Sequence, residues 1–157
     1  MVRRRHIENV DESLDLRRKQ NQQLCEQIVR RAGWLAGRDR DIALGYFDRG
    51  MNAAEIGSML RIDPRCVRRR IKHIVSRLRD PRCAYVVSHR NSWSAQRRAV
   101  AEALFVEGHS MREVSVTLGI SLHVVRKYRD AIEIMAQADR EPARISRAWQ
   151  NAEGVRA

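Results

Sequence analysis

The stretch MNAAEIGSMLRIDPRCVRRRIKHIVSRLR, residues 51 to 79, carries two helical patterns with only Arg61, Ile62 and Asp63 between them, and the remainder of the chain is arranged around it. Asn52 offers a side-chain oxygen to the first unpaired N–H groups of a helix, and Glu55, three residues on, is placed to accept the cap's own N–H. Ile56 and Leu60 fall on one face at a spacing of four, and Gly57 between them leaves room for a second helix to cross. Asp63 then caps a second helix that starts with Pro64, where a missing N–H costs nothing. Along that helix Val67, Ile71, Ile74, Val75 and Leu78 form an apolar stripe, while Arg65, Arg68, Arg69 and Lys72 share another face. One side packs and the other is strongly positive.

These residues resemble a known pattern, the helix-turn-helix of the fourth region of bacterial sigma factors and of LuxR-type regulators. The pattern is a Glu-Ile-small triplet at Glu55, Ile56 and Gly57, then Leu60, Ile62 and Val67, then the pair Arg70-Ile71 leading to Leu78 and Arg79. Arg61 departs from it, because those families usually place glycine in the turn, and a positive φ there strains a residue that has a Cβ. The resemblance implies a bacterial or phage protein that lays the second helix in a major groove of double-stranded DNA. Arg would read guanine O6 and N7 there, and flanking cations would neutralise phosphates. The candidate contacts are then Arg65, Arg68, Arg69 and Lys72, with Asn52 a helix cap near phosphate. RNA polymerase is a further candidate partner.

The pattern recurs. Setting Gly50 against Gly108, an offset of 58, aligns Arg40 with Arg98, Ala43 with Ala101, Phe47 with Phe105, Glu55 with Glu113, Leu60 with Leu118, Ile62 with Ile120, Val67 with Val125, Arg68 with Arg126 and Ile74 with Ile132, without a gap. Such a shared spacing argues for internal duplication. In the second copy Ser110 and Glu113 form a capping box, Gly119 supplies the turn glycine, and Ser121 caps the second helix. Val125, Tyr128, Ile132 and Met135 are its expected buried stripe. Ser121, His123, Arg126 and Lys127 are its candidate DNA contacts, and Ser110 is the cap near phosphate. Asp130 and Glu133 stand where the first copy has Lys72 and Val75, so the later part of this helix should lean away from phosphate.

The expected fold is all-α, with two small helix-turn-helix units in tandem, an N-terminal helix and a short C-terminal helix. Residues 1–37 comprise a basic arm, Arg3-Arg4-Arg5, and a helix from about Asp11 to Gly33. The thin stripe of Leu14, Leu24, Ile28 and Leu35 suits packing on one neighbour, such as the same helix of a second copy in a homodimer. Residues 38–80 form the first unit, with a support helix through Ile42, Ala43, Tyr46 and Phe47 that stops at Gly50. Residues 81–94, with Tyr85, Val86, Val87 and Trp93, are an ordered connector, and Asp80-Pro81 ends the basic helix. Residues 95–138 form the second unit. In the tail, 139–157, Pro142 precedes a short run through Ile145, Ala148 and Trp149 that suits one more helix.

Composition narrows the partner. The 157 residues carry 31 Lys+Arg against 19 Asp+Glu, a formal charge of +12, which suits a polyanion. No apolar run approaches the ~20 residues of a membrane span, and no secretory signal pattern follows the basic start, so a cytoplasmic, nucleoid-associated protein is expected. Cys25, Cys66 and Cys83 are odd in number and scattered, so reduced thiols rather than a disulfide framework are expected, and no CxxC spacing supports a metal site. No Gly-rich phosphate loop, HExxH or GxSxG occurs, so neither an enzyme nor a cofactor is expected. The expected function is sequence-specific DNA binding by a transcriptional regulator. The alternative is a DNA-targeting component of a recombination, transposition or phage packaging machine, and a nonspecific nucleoid or RNA-binding protein is a third class.

Overall fold

Capping chemistry sets where the helices begin. The computed structural model describes the backbone of residues 21–154 and the side chains of residues 21–142; the Arg3-Arg4-Arg5 arm and Leu14 lie outside the described residues. Helix α1 is described over 21–32, followed by α2 (Gly37–Phe47), α3 (Ala53–Leu60), α4 (Pro64–Arg79), α5 (Pro81–His89), a 3-10 turn (Arg90–Ser92), α6 (Ala95–Ala101), a π turn (Glu102–Val106), α7 (Met111–Leu118) and α8 (Leu122–Gly154). No strand occurs among the described residues. The fold is all-α, as expected.

The chain divides into two compact units, residues 1–76 and 77–157. In the first, α2 packs on α3, and the buried side chains are Ile28, Ala32, Leu35, Ile42, Ala43, Ala53, Ile56, Val67 and Ile74. In the second, α5, α6 and α7 each pack against α8, and Val100, Val114 and Val125 form a cluster on which Met111, Ile120 and Tyr128 rest. Leu78, Cys83, Val86, Phe105, Ile132 and Ala136 are also buried in it.

The 58-residue correspondence reaches the hydrogen bonds. Arg49 N–H donates to Leu44 O at 3.0 Å, and Glu107 N–H to Glu102 O at 2.9 Å; Met51 N–H donates to Gly45 O and His109 N–H to Ala103 O, both at 2.9 Å. Both support helices therefore end in the same widened turn. Ile62 N–H closes on Gly57 O at 2.9 Å, and Ile120 N–H on Ser115 O at 3.2 Å. Buried residues pair likewise: Ile42 with Val100, Ala43 with Ala101, Ile56 with Val114, Val67 with Val125, Ile74 with Ile132. Gly57 has a second reason beyond helix crossing, since a Cβ there would lie 2.6 Å from Ile62 O. Its counterpart Ser115 instead donates its hydroxyl to Ile120 O at 2.6 Å.

Three expectations are corrected. The stretch 81–94 is mostly helical rather than a connector, because Asp80 Oδ1 accepts the Arg82 N–H at 2.8 Å and Pro81 takes the first helical position. The same Asp80-Pro81 pair that stops α4 thus starts α5. The offset of 58 carries back to it, aligning Cys25 with Cys83 and Ile28 with Val86, so α5 is the counterpart of α1. The tail is not a separate helix: α8 runs on from Leu122 through Pro142 to Gly154. Finally, the helix buries Ala136, 2 % exposed, while Met135 is half-buried.

Candidate nucleic-acid interface

The first copy presents its cations on an unobstructed face. Asn52 Oδ1 accepts from Ala54 N–H (2.9 Å) and Glu55 N–H (3.0 Å), and Glu55 Oε2 accepts from Asn52 N–H at 2.8 Å, which fixes the start of α3. Asn52 is exposed, but this oxygen is engaged in capping. After the turn, Asp63 Oδ1 accepts the Arg65 N–H at 2.6 Å and orients the first turn of α4. Val67 and Ile74 are at most 1 % exposed and anchor the inner side of the helix. Arg65, Arg68, Arg69 and Lys72, at offsets of 0, 3, 4 and 7, therefore emerge together on the outer side, and all four are exposed. They span about 10 Å of helix, roughly two turns. None of the four makes an ion pair among the described residues. Arg70, by contrast, is tied to Asp39 of α2 at 3.3 Å and braces the unit.

In the second copy Ser110 Oγ accepts from Glu113 N–H at 3.3 Å and Glu113 Oε2 from Ser110 N–H at 2.6 Å. The Ser110 backbone bond, followed by its side-chain bond, holds the Glu113 carboxyl below its ordinary pKa. Ser121 is itself exposed and caps α8, accepting the Val124 N–H at 3.3 Å. His123, Arg126 and Lys127 are exposed on one face of α8, as expected.

That face then changes character. Asp130 follows and is paired with Arg129 at 2.7 Å, and Ile134, one turn further, is 68 % exposed. Glu133 is turned aside by an ion pair with Arg82 of α5 at 2.7 Å. Arg82 also closes on Asp80 at 2.7 Å. Burial alone would raise the Asp80 carboxyl, but the Arg82 hydrogen bonds and charge outweigh it and hold the group below its ordinary pKa, while raising that of Arg82. The outer face of α8 is thus polar and basic for about two turns and then acidic and apolar, whereas that of α4 stays basic from Arg65 to Lys72.

Arg61 was visible in the sequence only as a missing glycine; its backbone lies at φ 54°, ψ 47°, the left-handed region. Arg77 gave no sequence signal. Its guanidinium donates to the carbonyls of Val106 (2.9 Å) and Glu107, closing the turn ahead of α7. Among the described residues no cluster of His, Cys, Asp and Glu is arranged to hold a metal, and no helix is long and apolar enough to cross a membrane. Comparison of the chain with protein-family models, with curated proteins and with solved structures finds no match.

Proposed function

We propose that this chain is a sequence-specific double-stranded DNA-binding regulator of transcription, in which α4, and for its first two turns α8, enter major grooves. The observation that carries the reading is the face of Arg65, Arg68, Arg69 and Lys72, exposed and without an acidic partner among the described residues, on a helix that follows a three-residue turn. A helix so presented can insert between phosphate rows with arginine on base edges and cations on phosphates. The protein is then cytoplasmic and nucleoid-associated, and RNA polymerase is a further partner. Selection of duplexes from a random pool should yield a defined site. With about six phosphate contacts, affinity for it should fall with salt at a log–log slope near −5. Random recovery, or a slope near −1, would refute the reading.

One observation favours a second reading for the second unit alone. Asp130 and the exposed Ile134 extend the face of His123, Arg126 and Lys127, and apolar exposure beside acid suits a protein partner better than phosphate. The first unit would then target DNA for an assembly that the second unit joins, as in recombination, transposition or phage packaging.

A further inference from the structure

We propose that Arg61 is a phosphate-binding residue of the first unit, held in a strained conformation for that contact. The proposal rests on α4 being the recognition helix. Arg61 is the C-cap of α3, and its N–H closes on Gly57 O, so the chain must be left-handed at this point to turn into α4. Among the described residues it is the one non-glycine with positive φ. The second copy makes the same turn with Gly119 at φ 63°, ψ 31°, which shows that the turn itself asks only for glycine. A Cβ at Gly119 would meet nothing within 4 Å, so a side chain at this place in the turn gains no packing there.

The Arg61 side chain is exposed and makes no hydrogen bond or ion pair among the described residues. Folding therefore gains little from it beyond the attraction of a cation for the C-terminal end of α3, which salt screens. A left-handed residue with a Cβ carries a conformational cost, and such costs persist where function uses the side chain. What this residue adds is a guanidinium two positions before the cap of the cationic helix, in the turn itself and four residues from Arg65. From there a side chain of this length can extend the positive face past the N-terminal end of α4. It suits a phosphate outside the groove that α4 enters, a contact that adds affinity without sequence preference.

The test uses the full chain with Arg61→Gly, Arg61→Lys and the triple variant Arg65→Ala/Arg68→Ala/Arg69→Ala. The probes are a duplex selected by the wild-type chain and a poly(dA-dT) duplex. One lost phosphate contact removes about 0.9 from the log–log salt slope, which at 0.1 M salt is roughly eightfold in affinity. Arg61→Gly should weaken binding by about that factor on both probes. Measured in 0.5 M salt, it should also raise Tm by about 2 to 4 °C, since the left-handed strain is relieved. Arg61→Lys should keep most of the affinity and leave Tm unchanged. If Arg61→Gly binds like wild type while the triple variant loses binding, α4 binds DNA and the proposal fails alone. If the triple variant also binds like wild type, the functional reading fails and takes the proposal with it. A fall in Tm for Arg61→Gly would give Arg61 a folding role and would likewise overturn it.

Discussion

Gly50 and Gly108 occupy the same place in the two copies, and both have positive φ, 66° and 78°, yet replacing them with alanine should have unequal effects. At Gly50 a Cβ meets nothing within 4 Å, so Gly50→Ala should cost only the left-handed strain, about 1 to 2 kcal/mol. At Gly108 the Cβ would lie 2.7 Å from Arg77 Cδ and 2.8 Å from Arg77 Nη1. The side chain could swing away, but it holds the Val106 and Glu107 carbonyls, and that hold would be lost. Hydrogen bonds from a charged donor contribute about 1.5 to 3 kcal/mol, and counting the two carbonyls as one linked contact puts Gly108→Ala at about 2.5 to 5 kcal/mol. Urea unfolding followed by circular dichroism would measure both variants. A double-mutant cycle supplies the control: in an Arg77→Ala background the cost of Gly108→Ala should drop to that of Gly50→Ala. Equal costs in the wild-type background, or no coupling to Arg77, would refute the assignment of Arg77 as the strut of this turn.

Asn52→Ala should cost about 1 kcal/mol, and more than Ser110→Ala, because Asn52 accepts two N–H groups at 2.9 and 3.0 Å whereas Ser110 accepts one at 3.3 Å; thermal melts of the two variants rank them. Acid should destabilise the fold in a defined window. Asp80 and Glu113 both have folded pKa values below their ordinary ones, so their contribution is fully present above about pH 4 to 4.5 and is lost as pH falls through the folded values. Asp80→Asn should flatten the Tm-against-pH curve below pH 4, and a curve parallel to wild type would show that the Arg82 contact contributes nothing. If both units dock, Arg126→Ala with Lys127→Ala should shrink the DNase footprint to one element and weaken binding more than tenfold, as should about five base pairs inserted between the elements. A footprint that survives both changes would favour a protein-docking second unit.

The local chemistry of the turns was legible in the sequence, because a cap and the residue that reciprocates it lie three positions apart. Asn52 with Glu55, and Ser110 with Glu113, stand as their spacing implied. The cationic face of α4 was legible for the same reason, since a helix brings positions 65, 68, 69 and 72 together whatever surrounds it. Helix α5 was hidden because it is nine residues long and buries only Cys83 and Val86, too few positions to show a period. Its one long-range signature is the correspondence of Cys83 and Val86 with Cys25 and Ile28 at the offset of 58. The continuation of α8 was hidden by Pro142, whose usual disruption of helices argued for a break there. Distance in sequence concealed the rest. Glu133 is drawn aside by Arg82, 51 residues earlier, and Arg77 reaches carbonyls 29 and 30 residues later. No local pattern encodes such pairs.

The widened turn at the end of both support helices separates what the two 58-residue segments share from what sets them apart. Bonds five and six residues apart, from Arg49 to Leu44 and from Met51 to Gly45, recur from Glu107 to Glu102 and from His109 to Ala103. A helix that closes such a turn accommodates extra residues relative to an ideal α-helix. In both copies the next cap, Asn52 or Ser110, follows eight residues after the first accepting carbonyl, that of Leu44 or Glu102. The irregularity therefore belongs to the scaffold the two copies share, together with the caps and the left-handed residues Arg61 and Gly119. The arginines of α4, the Asp130 and Ile134 of α8, and the choice between Arg61 and Gly119 differ between the copies. The scaffold is what the two copies hold in common, and the two outward faces are where they differ.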